Sequence, residues 1–442
     1  MASLAAEMPA PQRVPARHVA AVSLGNALGF YDFLTYVYFA VYIGRTFFPA
    51  HNETASLLAT YGASFVGFLA RPVGAMVIGP MGDRIGRRAA MMLSFTLMGI
   101  GVVGVALTPS YARIGLAAPV LVILFRIVQG FALGGEVGPT TAYLVEAAPP
   151  QRRGFYASLQ YATQDAGVLV AGLIGTVLAG VLTTTQLEDW GWRVAILIGA
   201  AIIPFGLWLR RDLPETLHAA DDAALAPDAT VGTTAPKPGL RPYATLIVLG
   251  LMMLASGTIG SYVASYMTTY ALTVLRLPAT VAFGVIIVNG AFSVVFEPIS
   301  GWLSDRFGRK PVMLVPGVMQ LFAVLPAFWF IAHYRTPFAF YAAIAAVTIL
   351  QGLSTPPVVT TLTEQLPKHV RSGVVATVYA FAISIFGGST QFMLTWLLAL
   401  TNKDPLTPAY YWIVALVVGL TAMALVKESA PVRLVRATKP PS

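Results

Sequence analysis

Apolar residues gather into twelve long runs, near 19–44, 55–81, 89–108, 117–145, 154–182, 193–209, 242–271, 280–303, 311–332, 338–363, 372–400 and 409–426. Each is long enough for a helix that crosses a bilayer, which takes about 20 residues. Several run longer, which predicts tilt or helix ends that emerge into water. Short polar stretches join the runs. The one long interruption, 210–241, is rich in Ala, Pro, Thr and Asp. This pattern predicts an all-α polytopic membrane protein. Residues 19–209 and 242–426 would form two six-helix bundles, with 210–241 as the linker, 1–18 as the N-terminal tail and 427–442 as the C-terminal tail.

The two halves share a motif. Gly82-Asp83-Arg84-Ile85-Gly86-Arg87-Arg88 returns as Ser304-Asp305-Arg306-Phe307-Gly308-Arg309-Lys310, at an offset of 222 residues. The same offset carries Gly79 onto Gly301 and Gln129-Gly130 onto Gln351-Gly352. The second bundle is therefore a diverged copy of the first, as in many secondary transporters.

Composition agrees with lipid as the outer solvent. Of 442 residues 57% are hydrophobic and 11% charged, with a mean hydropathy of +0.72; soluble domains carry about a quarter charged residues. Cysteine is absent, which excludes disulfides, thiolate metal sites and cysteine catalysis. The five histidines show no metal-ligand spacing. No phosphate-cradling Gly-Lys-Ser/Thr loop and no nucleophile–base pair is visible, so neither ATP-driven transport nor an enzyme is expected.

The net charge of +9 could suggest nucleic acid, but its distribution is topological. Counted by side, 20 Lys and Arg fall with the two termini and 6 on the opposite side, with Arg71 and Arg126 inside spans. The positive-inside rule then puts both termini in the cytoplasm. No nucleic-acid partner and no cleavable signal peptide is expected.

Six charges lie inside spans: Asp32, Arg71, Arg126, Glu136, Asp165 and Glu297. An ionised side chain at the bilayer centre costs at least about 2.5–3.5 kcal/mol, so such residues face a cavity or a partner. At 1.5 Å per residue, Arg71 stands about 18 Å from the turn at Asp83. Similar depths are expected for Asp32, Glu136 and Asp165, so these four and Arg126 should converge within the first half. Arg71 and Arg126 are the natural anion ligands, because guanidinium stays charged when desolvated and binds carboxylates bidentately. Asp32, Glu136 and Asp165 are candidates for proton coupling, since a buried carboxyl that changes partner can load and release a proton. For Asp165 the alternative is neutralisation of an arginine. Glu297, eight residues before Asp305, reads as a gate or a structural pair. Asn26, Tyr36, Gln160, Tyr161, Gln164, Asn289 and Tyr379 could hydrogen-bond a substrate or tie helices together. Asp83, Arg87, Asp305 and Arg309 are expected to pair across helix ends and gate the bundle.

The stretch Gly301 to Lys310 closely resembles the signature loop of the major facilitator superfamily, with Gly79 to Arg88 as its first-half counterpart. Within that family, Gly25-Asn26, Asp32-Phe33, Phe47-Phe48-Pro49, Phe68-Leu69-Ala70-Arg71-Pro72-Val73-Gly74 and Arg126-Ile127-Val128-Gln129-Gly130-Phe131 resemble the metabolite–proton symporters. Gln160, Gln164, Glu188 to Arg193 and Ile385-Phe386-Gly387-Gly388 are most similar to the citrate–proton symporters of that branch. Asp165 and Glu297 depart from the pattern: the first stands where an uncharged residue is expected, and the second is an added carboxylate. The resemblance implies a monomeric carrier in the cell inner membrane that imports citrate or a similar di- or tricarboxylate by alternating access. Protons would be the coupling ion, with sodium left open, and no cofactor or metal is implied. The alternatives are a proton symporter of 2-oxoglutarate, shikimate or proline/betaine, and, further off, a drug/proton antiporter. Against the last, residues 157–182 lack the proline of the Gly-Pro-rich motif such exporters carry.

Overall fold

The computed structural model describes residues 27, 29–85, 87–134, 148–200, 241–366 and 368–432; the side chains of 79, 80, 82–85, 87–91, 150, 241, 368–373 and 376 lie outside that description. Among the described residues the ordered elements are helices. In chain order they are α1 (29–47, broken at Phe39), α2 (Glu53–Ile85), α3 (Arg87–Leu107), α4 (Ala117–Gly134), α5 (Arg153–Val181) and α6 (192–200). The second half supplies α7 (Ala244–Tyr270), α8 (Ala279–Phe307), α9 (Arg309–Tyr334), α10 (Pro337–Ser354, resumed at Pro356–Gln365), α11 (Lys368–Leu400) and α12 (Thr407–Leu425). Among the described residues nine helical stretches are long and apolar enough to cross a membrane. The expected spans and the helices agree to within a few residues wherever both ends are described.

Large apolar side chains such as Val181, Phe322, Phe338 and Val414 stand exposed on the outside of the bundle. In water such a surface would aggregate; against acyl chains it is the solvated state. The helix α1 has no such face: from Phe30 to Gly44 its residues are buried, polar ones included. A helix buried on all sides belongs to the centre of the assembly.

Small residues set the crossings. In α2 and α4 the glycines face each other's backbone. A Cβ at Gly130 would fall 1.7 Å from the Gly67 carbonyl oxygen, one at Gly134 2.0 Å from that of Arg71, and one at Gly74 1.9 Å from that of Phe131. The Arg71-Pro72-Val73-Gly74 stretch is thus a packing device on its Gly74 face. The two halves meet along α5 and α8 by the same means: Gly154 lies against Gly301, Gly172 against Ile286 and Ile287, and Gly290 against Leu169. Close backbone approach of this kind is how helices associate in lipid, where apolar burial supplies little drive.

The halves are also tied at both ends. At the end bearing the repeated loops, Asp305 on α8 accepts from the backbone N–H groups of Gly154 and Phe155, both at 2.9 Å, and so caps α5 of the other half. Arg309, fully buried, donates to Asp305 at 2.6 Å and to Glu364 at 2.9 and 3.2 Å. Glu428 accepts the backbone N–H of Arg309 and of Lys310, which caps α9. At the opposite end Glu53 pairs with Arg45 at 3.4 Å and, across the halves, with Arg276 at 3.5 Å and Lys403 at 3.6 Å. Deeper on that side Tyr61 and Thr269 share a hydrogen bond of 2.6 Å, and Phe39 packs on Phe283 with centroids 4.6 Å apart. The two halves are thus in contact at both ends of the bundle.

Candidate functional site

The crossing of α2 over α4 puts Arg71 and Arg126 close to one another, as the sequence predicts. Both are buried. Their guanidinium carbons stand 4.2 and 4.0 Å from the centre of the same ring, Phe33 of α1. Phe68 contacts Arg71 at 4.3 Å and Tyr36 contacts Arg126 at 4.3 Å. Arg126 donates to Gln129 Oε1 at 2.9 Å and to Ser64 Oγ at 3.0 Å. Arg71 reaches toward the Tyr262 hydroxyl of α7, and its Nε and Nη2 have no hydrogen-bond partner among the described residues. Among the described residues neither guanidinium has a carboxylate within 4 Å. Among the described residues, aromatic faces and neutral dipoles are what touch the two desolvated cations.

Asp32 is the nearest acid. It is buried, accepts a 3.4 Å bond from Gln129 Nε2, and leaves Oδ1 without a partner. Gly199 of α6 stands beside that free oxygen; a Cβ there would lie 3.4 Å from it.

A cavity of about 80 Å³ opens next to this cluster, between α1 and α5 on one side and α7, α8, α10, α11 and α12 on the other. At about 10–15 Å³ of such space per molecule it has room for five to eight waters. Tyr161, Gln164 and Asp165 line it from the first half; Ser261, Tyr262, Asn289, Ser293, Glu297, Gln351 and Tyr379 line it from the second. Gln164 donates to Tyr379 at 3.4 Å, and Thr348 donates to Asn289 at 3.0 Å. Tyr262 both lines the cavity and touches Arg71, so one ring separates the cations from the polar space.

The expected convergence therefore holds in part. Asp32, Arg71 and Arg126 meet, with Tyr36 against them. Asp165 does not join them. It faces the second half, where its carboxyl meets Ser293 and Glu297 of α8. The expectation that Asp165 stands among the first-half arginines is corrected by the pitch of α5, which turns Gln164 and Asp165 into the cavity. Glu297 likewise lines the cavity and takes no part in the loop pairs at Asp305 and Arg309. Gln160 is buried one turn from Gln164 but does not line the cavity. Asn26 and Glu136 lie outside the described residues, as do the side chains of Asp83 and Arg87.

Phe33, Ser64, Gln129, Tyr262 and Ser293 escaped sequence reasoning as site residues. For two of them a signal existed. Gln129 repeats as Gln351, which lines the cavity and donates to the Gly257 carbonyl at 2.9 Å. The same offset of 222 carries Arg71 onto Ser293 and Arg126 onto Thr348. The duplicated positions keep cations in one half and hydroxyls in the other.

The Major Facilitator Superfamily model matches residues 22–390. The citrate–proton symporter of Klebsiella pneumoniae is 34% identical over 415 residues, covering 93% of this chain and 92% of that protein. The citrate–proton symporter of Salmonella typhi is 36% identical over 405 residues, covering 91% and 92%. The alpha-ketoglutarate permease of Escherichia coli (strain K12) is 32% identical over 421 residues, covering 94% and 95%. Among solved structures, the D-xylose–proton symporter superposes with a TM-score of 0.72 at 17% identity, over 94% of this chain and 98% of that one, which speaks to the fold alone. Helix order, duplicated loops, inter-half seams and relatives agree: the chain belongs to the major facilitator superfamily and is a membrane transporter, not an enzyme.

Proposed function

We propose that the chain is a proton-coupled importer of a small organic anion of the citrate type, working by alternating access between two rocking bundles. The carrying observation is the pair of buried guanidiniums, Arg71 and Arg126, with no carboxylate within 4 Å among the described residues. Buried cations with no carboxylate in contact among the described residues suit an anionic ligand. The relatives named as citrate–proton symporters support the class and the coupling ion.

In this reading Tyr262 swings aside and the substrate carboxylates take up the free guanidinium N–H groups. Gln164, Tyr379 and Asn289 then receive its hydroxyl and remaining oxygens. Asp32 carries a coupling proton, linked to Arg126 through Gln129. Both termini face the cytoplasm of a cell whose inner membrane holds the carrier as a monomer, and 210–241 links the two bundles on that side. Asp305 and Arg309 close the cytoplasmic end. A dicarboxylate is the second reading, favoured by the count of two guanidiniums and by the likeness to the alpha-ketoglutarate permease.

The test is radiolabelled uptake into vesicles under an imposed pH gradient, with citrate, tricarballylate, succinate, 2-oxoglutarate, shikimate and proline compared. Accumulation of tricarboxylates above the others is expected. Uptake of proline or shikimate alone would overturn the anion class.

A further inference from the structure

Two acids that the citrate-like pattern lacks, Asp165 and Glu297, come from opposite halves and meet in the middle of the α5–α8 seam. Asp165 is twelve residues, about 18 Å, into α5 from Arg153, and Glu297 about 12 Å before Asp305. Glu297 is 6% exposed, and its Oε2 has no hydrogen-bond partner although it lines the cavity. The groups that face the two acids are neutral: Ser293 on α8, Tyr38 on α1, Tyr161 on α5 and Tyr379 on α11. From α10, Gly352 packs on Glu297, a Cβ there falling 3.5 Å from its side chain, and the neutral Thr348 and Gln351 line the same cavity. No cation lies within 4 Å of either among the described residues.

Two buried carboxyls in contact, with no cation beside them among the described residues, repel one another when both are ionised and attract one another through a shared proton. The seam allows no slack to relieve a repulsion, because Gly154 and Gly301 on one side of the pair and Gly290 and Leu169 on the other already touch backbone to backbone.

We propose that Asp165 and Glu297 form an inter-half proton site, whose shared proton is required for α5 to close on α8. When that proton leaves to cavity water, two like charges remain in the seam and the halves part. The pair thereby couples one proton to the opening of the cavity, separately from Asp32. This rests on the reading of the chain as a proton-coupled carrier and adds where one proton acts.

The absence of native cysteine allows a direct test. Spin labels on Phe155→Cys of α5 and Phe307→Cys of α8, both exposed at the loop end of the seam, report helix separation by spectral broadening. In the purified labelled protein, broadening should fall by about half as the pH is raised and the shared proton is lost. In Asp165→Asn/Glu297→Gln, whose amides keep a hydrogen bond at any pH, broadening should stay at the low-pH value throughout. Asp32→Asn should keep the parent's pH dependence. If the double variant does not fold, Glu297→Gln alone should give the same flat response. A pH-independent parent, or a pH response that survives in the amide variants, would overturn the proposal. Vesicle uptake separates the two readings. If the parent takes up no carboxylate, the substrate class fails while the spin-label result stands. If the parent transports, the amide variant should keep citrate–citrate exchange and lose about tenfold in pH-driven accumulation.

Discussion

Arg126 and Asp32 are joined through a single amide: Gln129 accepts from Arg126 at 2.9 Å and donates to Asp32 at 3.4 Å. A direct ion pair would lock both charges in every state. The relay leaves the guanidinium free for an anion and lets Asp32 respond to it. Arg126→Ala is expected to abolish uptake, and Arg126→Lys to cut it severely because the planar fork is lost. Normal uptake by Arg126→Ala at normal membrane abundance would exclude it as a ligand. Gln129→Ala should cost about 1.5–3 kcal/mol, the range for a buried hydrogen bond to a charged group, and weaken pH-driven accumulation more than substrate exchange.

Coupling at Asp32 has its own signature. Each negative charge imported against an inside-negative potential costs about 2.3 kcal/mol per 100 mV, so a trianion needs three protons to cancel that cost and more than three for net inward positive charge. Asp32→Asn should bind and exchange substrate yet fail to concentrate it under a pH gradient. Continued accumulation, with the medium still turning alkaline on substrate addition, would leave Asp32 a structural role.

Phe33 carries two guanidiniums on one ring. Buried cation–π contacts are worth about 0.5–2 kcal/mol each. Phe33→Leu keeps the volume and removes the quadrupole. It should raise the apparent KM for substrate several-fold with a smaller effect on Vmax, and Arg71→Lys should follow the same split. An unchanged KM in both would mean that the aromatic bed does not position the cations.

At the loop end, Asp305 accepts two backbone N–H groups of α5 while it pairs with Arg309. Asp305→Asn keeps the shape but removes the charge that complements the helix N-terminus, worth up to about 2 kcal/mol when partly buried. Cysteines placed at that end should become more accessible to thiol reagents, and those at the Glu53 end less so. Equal accessibility in parent and variant would reduce the repeated loop to a topology signal.

The α2–α4 crossing predicts a stability effect. Any Cβ at Gly130 overlaps the Gly67 carbonyl oxygen at 1.7 Å, which is backbone and cannot turn away. Gly130→Val should lower the thermal unfolding midpoint by several degrees, and membrane abundance with it, at an overpacking cost of about 1–3 kcal/mol. Gly62 has open space around its Cβ position, so Gly62→Ala serves as the tolerated control.

Hydropathy located the helices, because lipid demands a continuous apolar stretch and a closed backbone hydrogen-bond ladder. Depth counting put Arg71 and Asp32 at similar depths in the first half. It could not say which way Asp165 turns: one residue is 100° of helix, and that rotation decides between the arginines and Glu297. Nor could it find Ser64 or Tyr262, whose roles come from helices crossing at one point, and a small polar or aromatic residue in a span carries no sign of its partner. The repeat held more than the loops. Gln129 and Gln351 recur at the same offset, and following that offset leads from Arg71 to Ser293 and from there to the acid pair.

The two ends of the bundle differ in how they meet the surrounding medium. Arg309 is sealed from solvent, whereas Glu53 and its three cations, Arg45, Arg276 and Lys403, are a quarter to nearly two-thirds exposed. Mobile ions reach the second group and not the first; at about 1 M salt the screening length falls to about 3 Å, shorter than the separations in the cluster. High salt on that face is therefore expected to weaken the Glu53 pairs and to leave those of Arg309 intact. Through Glu53, which pairs within its own half and across to the other, the grip between the halves at that end is expected to slacken as ionic strength rises.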